Sequence, residues 1–149
     1  MNTLKKFEEY LNKGIARKIN PDPIRARDLV EESDRDRDFF MNEIRKKITL
    51  NDKNANNFID QAYNILMKLL RAKILIVGYK CSGFAAHEAE VSYMDKLGFS
   101  EADIEFMDEL RKSRNGISYY GKIFNVEYAQ KVLNFFDVIH PKLKEIAKI

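Results

Sequence analysis

The chain has 149 residues, 26 basic and 23 acidic side chains, a formal net charge of +3 at pH 7 and 45% hydrophobic content. That length suits one domain, 1–149, with enough buried surface for a core, and the near-balanced charge excludes the strongly basic footprint of a dedicated duplex binder. Cys81 is the single cysteine, which excludes an internal disulfide and a cysteine-rich zinc site, and no window approaches the ~20 apolar residues of a membrane span, so a cytoplasmic protein without membrane contact is expected.

Six glycines and three prolines punctuate segments whose apolar residues recur at helical spacing, which predicts an all-α fold. Leu4, Phe7 and Leu11 form one face of a short first helix that stops by Gly14, and Asn20-Pro21-Asp22-Pro23 breaks the chain. Asp22 is placed to cap a second helix with Pro23 at its first position. That helix is expected from Ile24 to about Ile48, on Ala26, Val30, Phe40, Ile44 and Ile48. Its charged middle, EESDRDRD, is expected to face water, with local pairs such as Glu31 with Arg35. An acidic metal cluster at Asp34, Asp36 and Asp38 is excluded, because alternating residues diverge around a helix.

Asn51 or Asp52 is expected to cap the third helix. Its stripe of Ala55, Phe58, Ile59, Ala62, Leu66, Leu69, Leu70 and Ile74 opposes Asn57, Gln61, Asn64, Lys68 and Arg71, and it ends near Gly78. Tyr79, Lys80 and Cys81 read as a loop, Ser82-Gly83 as a turn, and FAAHEAEVSYMDKLG as a fourth helix closed by Gly98. Ser100 and Asp103 have capping-box spacing, with Phe99 as a staple, and start a fifth helix that turns Ala102, Phe106, Met107 and Leu110 to the core. Asn115-Gly116 is a turn signal expected to end or kink it. A sixth helix carries Val126, Ala129, Val132, Leu133 and Phe136 and closes at His140-Pro141.

Two long helices, a glycine with a nearby histidine, another helix, and then RKSRNGISYYG over Arg111–Gly121 before a last helix form an order that resembles the HEPN family. The name stands for higher eukaryote and prokaryote nucleotide-binding proteins, and the resemblance covers about residues 54–136. It implies an up-and-down helical bundle of about five to six helices. In members with an Arg-Asn pair and a histidine a few residues further on, it implies a metal-independent RNase acting as a dimer. Arg114 and Asn115 match the pair. Tyr119 stands where the histidine would be, four residues separating it from Arg114, and the two histidines, His87 and His140, lie elsewhere.

RNA cleavage needs a base for the 2′-hydroxyl and a cation for the developing phosphorane charge. Tyr119 is a poor base, since a phenol of ordinary pKa near ~10 is under about 1% ionised at neutral pH. Arg114, Tyr119 and His87 are the candidate catalytic residues. Arg111, Arg114, Asn115, Tyr119 and Tyr120 are the candidates for holding a ligand, by phosphate pairing and base stacking. His87 with Glu88 and Glu90 has spacing for two metal ligands at most, so neither a metal nor a cofactor is expected. His140, beside a proline at a helix end, is assigned no function.

The expected function is a nucleotide- or RNA-associated module without standard RNase catalysis. A homodimer is expected, paired with a small nucleotidyltransferase in a toxin–antitoxin-type system. Two other readings stay open. One is a metal-independent RNase with an altered site in which His87 is the base. The other is a non-catalytic interaction bundle, which a flat, acid-neutralised Arg114 would favour.

Overall fold

A computed structural model describes residues 4–148 of the chain. Six α-helices carry the fold: α1 (Phe7–Asn12), α2 (Pro23–Phe39), α3 (Ala55–Val77), α4 (Ala86–Ser92), α5 (Glu101–Tyr120) and α6 (Val126–Ile146). A wide π turn, Phe40–Arg45, extends α2, and a 3-10 turn, Tyr93–Asp95, extends α4. Two three-residue strands, β1 (Ala16–Lys18) and β2 (Tyr79–Cys81), pair antiparallel.

Contacts between the four long helices set their directions. The Asp22 N–H donates to the Leu75 carbonyl and Ser33 Oγ to the Ile65 carbonyl, each at 3.0 Å, so α2 and α3 run in opposite senses. Arg114 with Asp60, and Asn56 with the Lys122 carbonyl, do the same for α3 and α5. Ser113 with Tyr128, and Phe106 with Phe135, do so for α5 and α6. Consecutive long helices therefore alternate up and down, as expected of an all-α bundle.

The central element is α3. Its predicted stripe is buried, and so are Tyr63, Ile65, Met67, Ala72 and Leu75, because α2, α4, α5 and α6 pack around it. Two helix starts follow the predicted chemistry: the Arg25 N–H donates to Asp22 Oδ1 at 3.0 Å and the Asp103 N–H to Ser100 Oγ at 3.1 Å. The start of α3 differs. Asn51 accepts from Lys53 and Asn54 within a closed turn, while Asp52 Oδ1 accepts from the Val126 N–H at 2.8 Å and so serves α6.

Further expectations are corrected. The middle of α2 does not simply face water: Ser33 is buried, Asp34 meets Lys144 and Asp36 meets Lys68, because α2 is flanked by α3 and α6. Tyr79–Cys81 is a strand, not a loop. Asn115-Gly116 does not end α5, which continues to Tyr120 and stops at Gly121, where φ is +62°. Pro141 does not end α6, since Leu143 and Ala147 continue beyond it the buried stripe that Ile139 carries before it. Ala102 and Ile48 lie at the surface, and Ile104 takes the core position in the first turns of α5. No helix among the described residues is long and apolar enough to cross a membrane.

Candidate functional site

Where α3, α4 and α5 meet, three arginines and a histidine gather around one buried tyrosine. α3 supplies Asp60, Tyr63 and Arg71, which share one side of the helix by their spacing, Arg71 lying two turns beyond Tyr63. α4 supplies His87, Glu88 and Glu90, and α5 supplies Asp108, Arg111 and Arg114. Tyr63 is fully buried, and its hydroxyl lies 3.1 Å from His87 Nδ1. The Arg114 guanidinium stands over the Tyr63 ring, 5.9 Å from its centre.

Each guanidinium has a carboxylate partner. Arg71 donates through Nε and Nη2 to both oxygens of Glu90, at 2.7 and 3.0 Å. This fork-to-fork pairing is the strong form of the interaction. Arg111, itself buried, donates to Asp108 at 2.8 Å and lies 3.7 Å from Glu88, which accepts the Tyr10 hydroxyl proton at 2.5 Å. Arg114 donates to Asp60 at 3.1 Å.

The protonation of His87 follows from these partners. Arg71 Nη2 lies 3.3 Å from His87 Nε2. A guanidinium can only donate, so Nε2 accepts, and the neutral ring carries its proton on Nδ1, facing the Tyr63 oxygen. Burial first, then the charges of Arg71, Arg114 and Arg111, push the imidazole down to about 4, so it is uncharged at neutral pH. Burial likewise raises the Tyr63 phenol, which stays protonated. Burial raises the Glu90 carboxyl while Arg71 draws it down.

His87 and Arg71 border an open cavity of about 420 Å³ between α2, α3 and α4. Gln61, Asn64 and Lys68 line it with amides and an ammonium, and Phe39, Ile65 and Met67 with apolar surface. Lys68 is itself paired with Asp36 at 2.5 Å. The mixture suits a ligand that is part charged and part planar or apolar.

Of the residues singled out in the sequence, Arg114, Arg111 and His87 converge here. Tyr119 and Tyr120 do not: they are 71% and 85% exposed at the end of α5. Because the helix continues past Gly116, a residue five positions beyond Arg114 lies well around the cylinder from it. Asn115 is half-buried one position along from Arg114. Glu88 and Glu90, weighed as metal ligands, are instead engaged by Tyr10 and Arg71. Sequence reasoning missed Tyr63, Asp60 and Arg71 as members of the site. Their signal was a set of polar positions threading the apolar pattern of α3. Comparison with known protein families, curated proteins and solved structures finds no match to this chain.

Proposed function

We propose that this bundle is a HEPN-type module that binds a nucleotide or an RNA segment without cleaving it. The observation that carries the reading is the position of His87, held neutral between Tyr63 and Arg71 on the wall of a cavity that mixes amides, a lysine and an exposed phenylalanine. Gln61 and Asn64 offer donor and acceptor groups to a base edge, Phe39 offers a stacking face, and Lys68 and Arg71 supply charge for phosphate from the cavity wall, with Arg114 behind them over the Tyr63 ring. Cleavage by His87 is disfavoured on physical grounds. An imidazole pushed down to about 4 is a weak base for a 2′-hydroxyl, and both of its nitrogens are engaged. The family resemblance extends the proposal to a cytoplasmic homodimer with a small nucleotidyltransferase partner, as in toxin–antitoxin-type pairs.

The pairing of Arg114 with Asp60 favours a second reading, a protein-interaction bundle in which that arginine only ties α5 to α3. Fluorescence polarisation with a labelled single-stranded RNA, and calorimetry with AMP, both in metal-free buffer, separate the two. Saturable binding that weakens tenfold or more in His87→Ala and Arg114→Ala, with the RNA intact on a gel, is expected. Absence of RNA binding, or RNA binding indifferent to both substitutions, overturns the proposal in favour of the interaction bundle.

A further inference from the structure

A second cavity, of about 430 Å³, lies on the other side of Arg71, between the β1–β2 ribbon and the start of α2. Its charged lining is Arg17, Arg25, Arg71 and Lys80 against Asp22 and Glu90, a net of two positive charges. Arg71 is bound by Glu90, and the Asp22 carboxylate accepts the Arg25 backbone N–H. Arg17, Lys80 and the Arg25 guanidinium form no salt bridge among the described residues.

One of these placements is unfavourable in the protein alone. Arg17 and Lys80 are directly opposite in the antiparallel register, so two like charges share one face of a two-stranded ribbon. Arg25 sits in the first turn of α2, where its backbone N–H is capped by Asp22 while its guanidinium adds a third cation to the same lining. Ribbon and helix meet where the Ile19 N–H donates to the Gly78 carbonyl and the Asp22 N–H to the Leu75 carbonyl, at 2.9 and 3.0 Å. Local conflicts of this kind concentrate where a protein binds something. An anion between the three cations resolves it.

We infer that this cavity is a binding site for a small phosphorylated compound, its phosphate held by Arg17, Arg25 and Lys80 and its organic part resting on Ile19, Leu75 and Tyr79. Arginine forks and a lysine are the side chains that recognise phosphate. The Cys81 thiol at the edge is pushed up to about 12, chiefly by burial, so it adds no opposing charge. The site is independent of the His87 cavity, since Arg71 separates the two and none of the three phosphate-holding residues reaches His87 or Arg114.

Calorimetry with inorganic pyrophosphate and with ADP tests the inference, with adenosine as the phosphate-free control. Pyrophosphate and ADP are expected to bind saturably and adenosine at least tenfold more weakly. In a His87→Ala, Arg114→Ala background, which removes nucleotide binding at the first cavity, Arg17→Gln with Lys80→Gln should weaken binding of both anions tenfold or more. The double variant relieves a like-charge pair, so its melting temperature without ligand is expected at or above that of the parent, which separates loss of binding from loss of fold. In that background, no saturable binding of either anion, or binding that persists when Arg17→Gln and Lys80→Gln are added, overturns the inference.

Discussion

Glu90 and Asp60 each hold an arginine, yet they respond differently to its loss. The Glu90 side chain is 2% exposed, so Arg71→Ala strands a carboxylate that water cannot reach. The expected cost is about 3 kcal/mol in a urea titration, the low end for a broken buried pair because the guanidinium itself is partly open to solvent. The Asp60 side chain is 37% exposed and can turn to water, so Arg114→Ala is expected to cost under about 1 kcal/mol. Replacing both partners of the first pair by apolar residues, Arg71→Met with Glu90→Leu, should recover most of the loss. Equal destabilisation by the two single alanine variants would refute this account of the site. The same asymmetry makes Arg114→Ala the cleaner probe of ligand binding, since the protein stays folded when the charge is gone.

At the scale of elements, the end of α5 decides which way the predicted site faces. Gly116 has ordinary helical backbone, and a Cβ there would meet only the flexible Lys122 side chain, nearest at 3.3 Å. Gly121 sits at φ +62° with open space around it. Gly116→Ala should therefore raise stability by about 0.5 kcal/mol, through helix propensity and a smaller unfolded-state entropy. Gly121→Ala should lower it by about 1 kcal/mol, because a side chain is strained in that region. Opposite signs in thermal melts are the expected outcome, and two losses would place the helix end at Asn115-Gly116 after all. The Asn-Gly signal misled because local turn preference was outweighed by packing around it on the same helix, where Ser113 bonds Tyr128, Gly116 is buried and Ile117 rests on the core. Pro141 misled in the same way: Ile139, Leu143 and Ala147 kept the helical period on both sides of it. In α3 propensity, periodicity and packing agreed, and its stripe and its stop at Gly78 were legible directly.

For the whole molecule, the bundle could be read from periodicity, which is local, but the site is joined across the chain. Arg114 meets Asp60 over a separation of 54 residues and Arg71 meets Glu90 over 19, and neither pairing leaves a trace in spacing along the sequence. What could be read was the set of unusual residues, Arg114 and His87. What could not was that Tyr63 would gather them and that Tyr119 would be left outside. One buried and one half-buried histidine give the assembled molecule a pH signature. His87 and His140 are both pushed down to about 4, chiefly by burial, with Arg71 and Arg37 respectively adding repulsion. In the unfolded chain an imidazole titrates near ~6.5, so between those values the unfolded state binds more protons than the folded one. Stability is full above about pH 6.5 and is lost as the pH falls toward 4. Urea midpoints measured at pH 7.5, 6 and 5 should therefore decline in that order. Glu90, raised in the folded protein, acts in the opposite sense, so the histidine contribution is read as a difference between parent and variant. His140 makes that difference clean, because its Nε2 is buried without a partner. His140→Leu removes that unmet group and should raise stability by about 1 kcal/mol at pH 7 while flattening the decline. A midpoint that holds steady from pH 7.5 to 5 in the parent would mean that these imidazoles are hydrated, and with it would go the case for a neutral His87.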